Sequence, residues 1–231
     1  MSDRPHSRST LDRELVDMQD DLVRMGEMVD NAIQMAIKSM EERDVALAEQ
    51  IVAGDEELNE LRFHIEEVGL STMATQQPAA IDLRSIIAAM NIVGDLERMG
   101  DHAAGIAKTT LRMAEAEWLK VPPELGMMAN LAREMLGKAM QAYIERDTVL
   151  AYSVASKDDY IDQQYKQLFR SLVKLIGSRP DTTESALYLM FTGHNLERIA
   201  DRATNVAERV IFLRSGEMTE LNPEPDEAAT N

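Results

Sequence analysis

Apolar residues recur at steps of three and four along almost the whole chain. They run from Leu11 to Met40, from Val45 to Met73 and from Ile81 to about Met113. That spacing is the stripe of an amphipathic helix, whereas a half-buried strand would alternate. Pro78 follows Gln76 and Gln77 and breaks the second run, because proline disfavours helix in the residue ahead of it. Pro122 and Pro123 open a further run, since proline is tolerated in a first helical turn. Arg146 to Thr148 form the next corner, and Gly177, Ser178 and Pro180 the last, with Asp181 or Thr182 as the expected cap. Helices of about thirty residues are about 45 Å long, and short connections make neighbours antiparallel. The pattern predicts an all-α protein of six helices in two sets of three.

The two sets are copies of one unit. "DLERMGDHAAGIAK" (Asp95 to Lys108) and "NLERIADRATNVAE" (Asn195 to Glu208) share six of fourteen positions at an offset of 100. "EERDVALA" (Glu41 to Ala48) parallels "IERDTVLA" (Ile144 to Ala151) at an offset of 103. The difference is absorbed at the loops around Pro78 and Pro180. Periodicity alone also fits a single six-helix bundle, or spectrin-like helices without a ligand; the repeated polar residues favour duplication. The expected layout is a flexible N-terminus over 1–10, a three-helix bundle over 11–115, a second over 120–214 and an acidic disordered tail over 215–231.

Composition narrows the class. Aromatics make up 4% while Met occurs 16 times, a core chemistry that suits helix packing better than sheet packing. There is no Cys, which excludes disulfides and thiolate metal sites. The net charge of −17 repels phosphate backbones, so nucleic acid is not expected as a partner; cations and basic protein faces are. The N-terminus lacks a secretory apolar core and no run of about eighteen apolar residues exists, so a cytoplasmic protein with no membrane span is expected.

The acids fall in a pattern. Ile92, Leu96, Met99, Ala103 and Ile106 form the core stripe of one helix, and Leu196, Ile199, Ala203 and Val206 that of its copy. Glu97 with Asp101, and Glu197 with Asp201, stand off those stripes one turn apart. The preceding helix carries Asp158 and Asp162 beside a stripe of Leu150, Val154, Ile161 and Leu168; the first-unit counterpart is Asp55 with Asn59. Antiparallel packing brings each two pairs to one groove. Such oxygen clusters suit Mg, Ca, Mn or Fe; a solvated acidic face, with Arg98 and Arg198 as local partners, is the alternative. None of the four His has a Glu three residues before it, as the Glu-x-x-His motif of carboxylate-bridged di-iron bundles requires, and the acids lie off the core. His102 and His194 read as surface histidines. No catalytic residue is expected, and the chain is not read as an enzyme.

The two copies of L-E-R-x-x-D-x-A-x-x-x-A, the "IDLRSI" of Ile81 to Ile86 and the "ERD" corner before each second helix resemble the PhoU family. The resemblance covers about Leu11 to Leu213. It implies tandem three-helix bundles whose E/D-x-x-x-D motifs hold multinuclear metal clusters, of Fe, Mn, Mg or Zn. The matching positions are Glu97, Asp101, Glu197, Asp201, Asp158 and Asp162, and Asp55 with Asn59, where an amide replaces an acid and makes the first site the weaker one. It further implies a cytoplasmic adaptor between the ATPase subunit of the phosphate ABC importer and a phosphate-sensing histidine kinase, a negative regulator when phosphate is plentiful. A homodimer is expected as well. The alternative is a metal-storage or metallo-enzyme bundle unrelated to phosphate.

Overall fold

The computed structural model describes residues 4–221. Its helices are α1 (Arg4–Glu42), α2 (Val45–Gln76), α3 (Ile81–Met113), α4 (Pro123–Glu145), α5 (Thr148–Ala155), α6 (Asp158–Ser178) and α7 (Thr183–Ser215), with a 3-10 turn at Pro180–Thr182 before α7. Among the described residues there is no strand, and no helix is long and apolar enough to cross a membrane.

The Glu-Arg-Asp corners are built alike. Arg43 and Arg146 take left-handed backbone at φ 60° and 54°. The next residue's N–H then returns to the closing helix, Asp44 to the Ser39 carbonyl at 2.8 Å and Asp147 to the Ala142 carbonyl at 3.0 Å. The same aspartates cap the opening helix. Asp44 accepts from the Leu47 N–H at 2.9 Å, and Asp147 from the Val149 and Leu150 N–H groups at 2.8 and 3.1 Å. The repeated tripeptide is thus a helix stop and a helix start in three residues. The corner before α7 differs from expectation. Thr182 donates its hydroxyl to the Arg179 carbonyl, Asp181 accepts from the Arg179 guanidinium, and neither side chain caps α7.

Two further departures matter for the site. The long helix expected after Arg146 is broken at Ser156 and Lys157 into α5 and α6, whereas its counterpart α2 is continuous. Tail residues Gly216 to Leu221 turn back along α7: Gly216 ends the helix at φ 78°, and the Leu221 N–H donates to Glu208 at 2.9 Å. Residues 222–231 lie outside the described residues, as do 1–3 of the expected flexible N-terminus, and α1 begins at Arg4.

Helices α1 to α3 pack on one another, as do α4 to α7, giving the two expected bundles. The bundles are not separate bodies. α3 packs along α7, the most extensive helix pair in the molecule, and α1 packs along α4. One continuous apolar core results, running from Leu22, Met25 and Ile33 through Leu96 and Met99 to Leu196 and Val206. α2 packs on α1 and α3 of its own bundle, and α6 on α4 and α7 of the other. Every residue of the two predicted stripes on α3 and α7 is buried. The core is filled by Met, Leu, Ile and Ala, while Phe63, Phe169 and Phe191, three of the four phenylalanines, are exposed.

Candidate functional site: two carboxylate grooves and the seam between them

The first groove lies between α2 and α3. Gly100 lets α3 approach closely, since a Cβ there would stand 2.5 Å from Leu58 and 3.8 Å from an Asp55 carboxylate oxygen. Burial raises the Asp55 pKa, and the neighbouring Asp101 and Glu97 charges raise it further, against the pull of Lys108. Asp55, Glu97 and Asp101 therefore lie within electrostatic reach of one another. Glu97 is taken, however. Its carboxylate accepts from the Arg62 guanidinium at 2.8 Å, and Arg62 also holds Glu66 at 2.9 Å. Asn59 donates its amide to the Asp55 backbone carbonyl at 3.2 Å.

The second groove lies between α6 and α7. The break at Lys157 places Asp158 and Asp159 in the first turn of α6, where the helix dipole favours negative charge. Asp158, Asp162 and Asp201 line a cleft of about 990 Å³ together with Arg198, Arg202 and Arg209, closed on one side by the tail residues Met218 to Leu221. Glu197 accepts from His194 Nδ1 at 3.2 Å, Asp201 accepts from Arg198 at 3.0 Å, and Lys166 stands 3.4 Å from Asp162. Burial pushes the Glu197 and Asp201 pKa values up, and the Asp162 charge adds to both. His194 lies on the surface, as expected.

The donor chemistry of both grooves suits a hard cation, but the side-chain placement does not form a coordination set. Among the described residues no three His, Asp or Glu groups are gathered to hold a metal ion. Glu97 is drawn to Arg62, Glu197 to His194 and Asp201 to Arg198. Repulsion between like charges is met here by local cations.

The sequence pattern did not point to the seam between the grooves. Asp95 is 8% exposed and sits at the α3–α7 contact, where Arg202 and Asn205 donate to one of its oxygens at 3.3 and 3.2 Å. Burial raises the Asp95 pKa, with Asn205 and Arg202 pulling it back. Asn195, the repeat counterpart of Asp95, makes the reciprocal contact: it accepts from His102 Nδ1 at 2.9 Å and packs on Gly105. His102 is the counterpart of Arg202, and Gly105 of Asn205. The pairs 95 with 202 and 102 with 195 mean that α3 and α7 cross antiparallel about an internal pseudo-two-fold axis. His102 is therefore a half-buried seam residue rather than a surface histidine, and its pKa is lowered, mainly by burial. The repeat alignment contained the signal, because Asp95, Asn195, His102 and Arg202 occupy matched positions of one motif.

The sequence profile of the PhoU domain matches residues 22–110 and again 125–210, one match per bundle. The chain belongs to the PhoU family. A PhoU homolog of Clostridium acetobutylicum, named a phosphate-specific transport system accessory protein, is 34% identical over 94% of this chain and 99% of its own length. A homolog of the same name from Aquifex aeolicus is 37% identical over 89% of this chain and 93% of that protein. The crystal structure of PhoU from Pseudomonas aeruginosa superposes with a TM-score of 0.85 at 33% identity, covering 89% of this chain and 99% of the other. The phosphate transport system regulatory protein PhoU of Streptococcus pneumoniae also gives 0.85, at 30% identity over 91% and 99%. The tandem-bundle fold of the PhoU family is thus the fold of this chain.

Proposed function

We propose that this chain is a non-enzymatic regulator of phosphate uptake and of the phosphate-starvation response. In this reading it works in the cytoplasm as an adaptor between the ATPase subunit of the phosphate ABC importer and a phosphate-sensing histidine kinase, and restrains both when phosphate is plentiful. The observation that carries the reading is the pair of PhoU domain matches, with relatives named as accessory and regulatory proteins of phosphate transport. The shape supports it. Two similar flanks, α2 on α1/α3 and α6 on α4/α7, would give two partners a face each. The net charge of −17 favours basic partner surfaces over nucleic acid. The test is deletion of the gene with a phosphate-starvation reporter read in high phosphate. The reporter should become constitutive and return to its low level with the natural chain; a reporter that stays low in the deletion strain would end the proposal.

Metal binding is a second proposal, placed at the α6–α7 groove. Asp158, Asp162, Glu197 and Asp201 would hold the ion, which would offset the Asp162 charge that raises the Glu197 and Asp201 pKa values. Elemental analysis of the purified chain and of D162N/E197Q/D201N tests it; equal metal in both proteins would contradict it.

A further inference from the structure

The repeat pairs two places in the molecule that are filled differently. Tyr143 and Arg146 correspond to Met40 and Arg43 at the offset of 103, and Ser85 and Leu213 to Ser185 and Met113 at the offset of 100. At the second of these places the chain fills the space itself, with the linker between α3 and α4. The Ala116 N–H donates to the Met113 carbonyl at 3.2 Å, and Ser185 donates its hydroxyl to the Glu117 carbonyl. The Arg43 guanidinium stands 5.5 Å from the centre of the Trp118 ring, and Trp118 packs against the core.

At the first place the linker has no equivalent. Residues 12–19, which correspond to 115–122, belong to the continuous helix α1, and Ser85 turns its hydroxyl to its own helix at the Ile81 carbonyl. A cavity of about 360 Å³ lies there, a volume at the lower end for small-molecule sites. Leu15, Met18, Ala89 and Leu213 give it apolar walls from α1, α3 and α7, and Tyr143 and Arg146 reach it from the end of α4.

These two polar groups are unmet. Tyr143 is 9% exposed, yet its hydroxyl has no hydrogen-bond partner among the described residues. A buried phenol ordinarily finds one. Arg146 is exposed and makes no ion pair among the described residues. The cavity therefore has an unused donor at its buried end, an apolar middle and an unpaired cation at its mouth. Asp12 and Asp82 also border it, and both are engaged within the molecule.

We infer that this cavity is a binding site for a small aromatic acid. The ring fills the apolar middle, as the Trp118 ring fills the matching space beside Arg43. A polar substituent on the ring accepts from the Tyr143 hydroxyl, and the carboxylate pairs with the Arg146 guanidinium at the mouth. The net charge of −17 disfavours anions, so the acid group depends on Arg146. The cavity shares no residue with either carboxylate groove, and the inference is independent of the adaptor role.

Calorimetric titration of the whole chain with para-hydroxybenzoate, benzoate and para-hydroxybenzyl alcohol tests it, repeated on Y143F and R146Q. The natural chain should bind para-hydroxybenzoate saturably. Benzoate should bind about fivefold more weakly, the worth of one neutral hydrogen bond. The uncharged alcohol should bind about tenfold more weakly, the worth of a charge-assisted one. In Y143F the advantage of para-hydroxybenzoate over benzoate should vanish, and in R146Q its advantage over the alcohol should vanish. Y143F should unfold no earlier than the natural chain, because the hydroxyl it loses has no partner. Absence of saturable binding by the natural chain, or advantages that survive both substitutions, would overturn the inference.

Discussion

The residue with most at stake is Asp95, an acid that no surface role explains. It is buried where α3 crosses α7 and is held by Arg202 and Asn205. Its removal leaves the donors of Arg202 and Asn205, both only partly exposed, without this partner. Asp95→Ala should cost about 3 kcal/mol, the order seen when a buried ion pair loses one member. Asp95→Asn, which keeps an acceptor for Asn205, should cost about 1 kcal/mol. Urea unfolding of the three proteins checks the order; an Asp95→Ala chain as stable as the natural one would show that the seam contributes nothing to stability. The mirror contact, His102 with Asn195, is a neutral version of the same device.

At the scale of elements, the two units are alike in their stops and starts and unlike in their flanking helices. α2 runs unbroken, while α5 is an eight-residue helix ended at Ser156. A helix that short has few internal hydrogen bonds beyond its ends and opens easily. Amide exchange over 148–157 should therefore be faster than over 45–54 of α2; equal protection would show that packing on α4 and α7 compensates for the break. The sequence displayed the elements well because periodicity, prolines and the Glu-Arg-Asp corners are local signals. The break at Lys157 has no such marker: Ser156 and Lys157 are acceptable in a helix, and tertiary packing decides. The grooves were legible in the same way. The spacing of Glu97 with Asp101 and of Glu197 with Asp201 indicated their common face, but not Arg62, which reaches Glu97 from 35 positions away. Asp95 was hidden because burial of an acid depends on what the other unit brings to it.

Over the whole molecule, negative charge and its burial govern the response to pH. Asp55, Asp95, Glu197, Asp201 and Glu208 all have pKa values raised, with burial the first cause in each. A carboxyl whose folded pKa lies above its unfolded value binds its proton more readily when folded. Stability from these five groups therefore increases as pH falls from their raised values toward the ordinary carboxylate value near 4, to about which the unfolded chain still titrates. His102 works the other way, because burial lowers its pKa and the unfolded chain protonates first. Glu134 and Asp181, whose pKa values Lys157 and Arg179 lower, also act against the five, but both are exposed and screened; the excess negative charge of the chain diminishes in the same direction as the five act. Tm should rise as pH is lowered from about 5.5 toward about 4.5, below the range in which His102 acts. A steady fall over that range, read by circular dichroism, would contradict this balance of charges.

The proposed adaptor role would use the same charge and the two-flanked shape, and everything proposed for the living cell depends on that role. The most direct test is co-purification with a tagged chain from phosphate-replete and phosphate-starved cells, with partners identified by mass spectrometry. The importer ATPase and a phosphate-sensing histidine kinase should be recovered with the natural chain, most strongly when phosphate is plentiful. Recovery of neither protein in either condition, with the tagged chain shown to complement the deletion strain, would contradict the adaptor role.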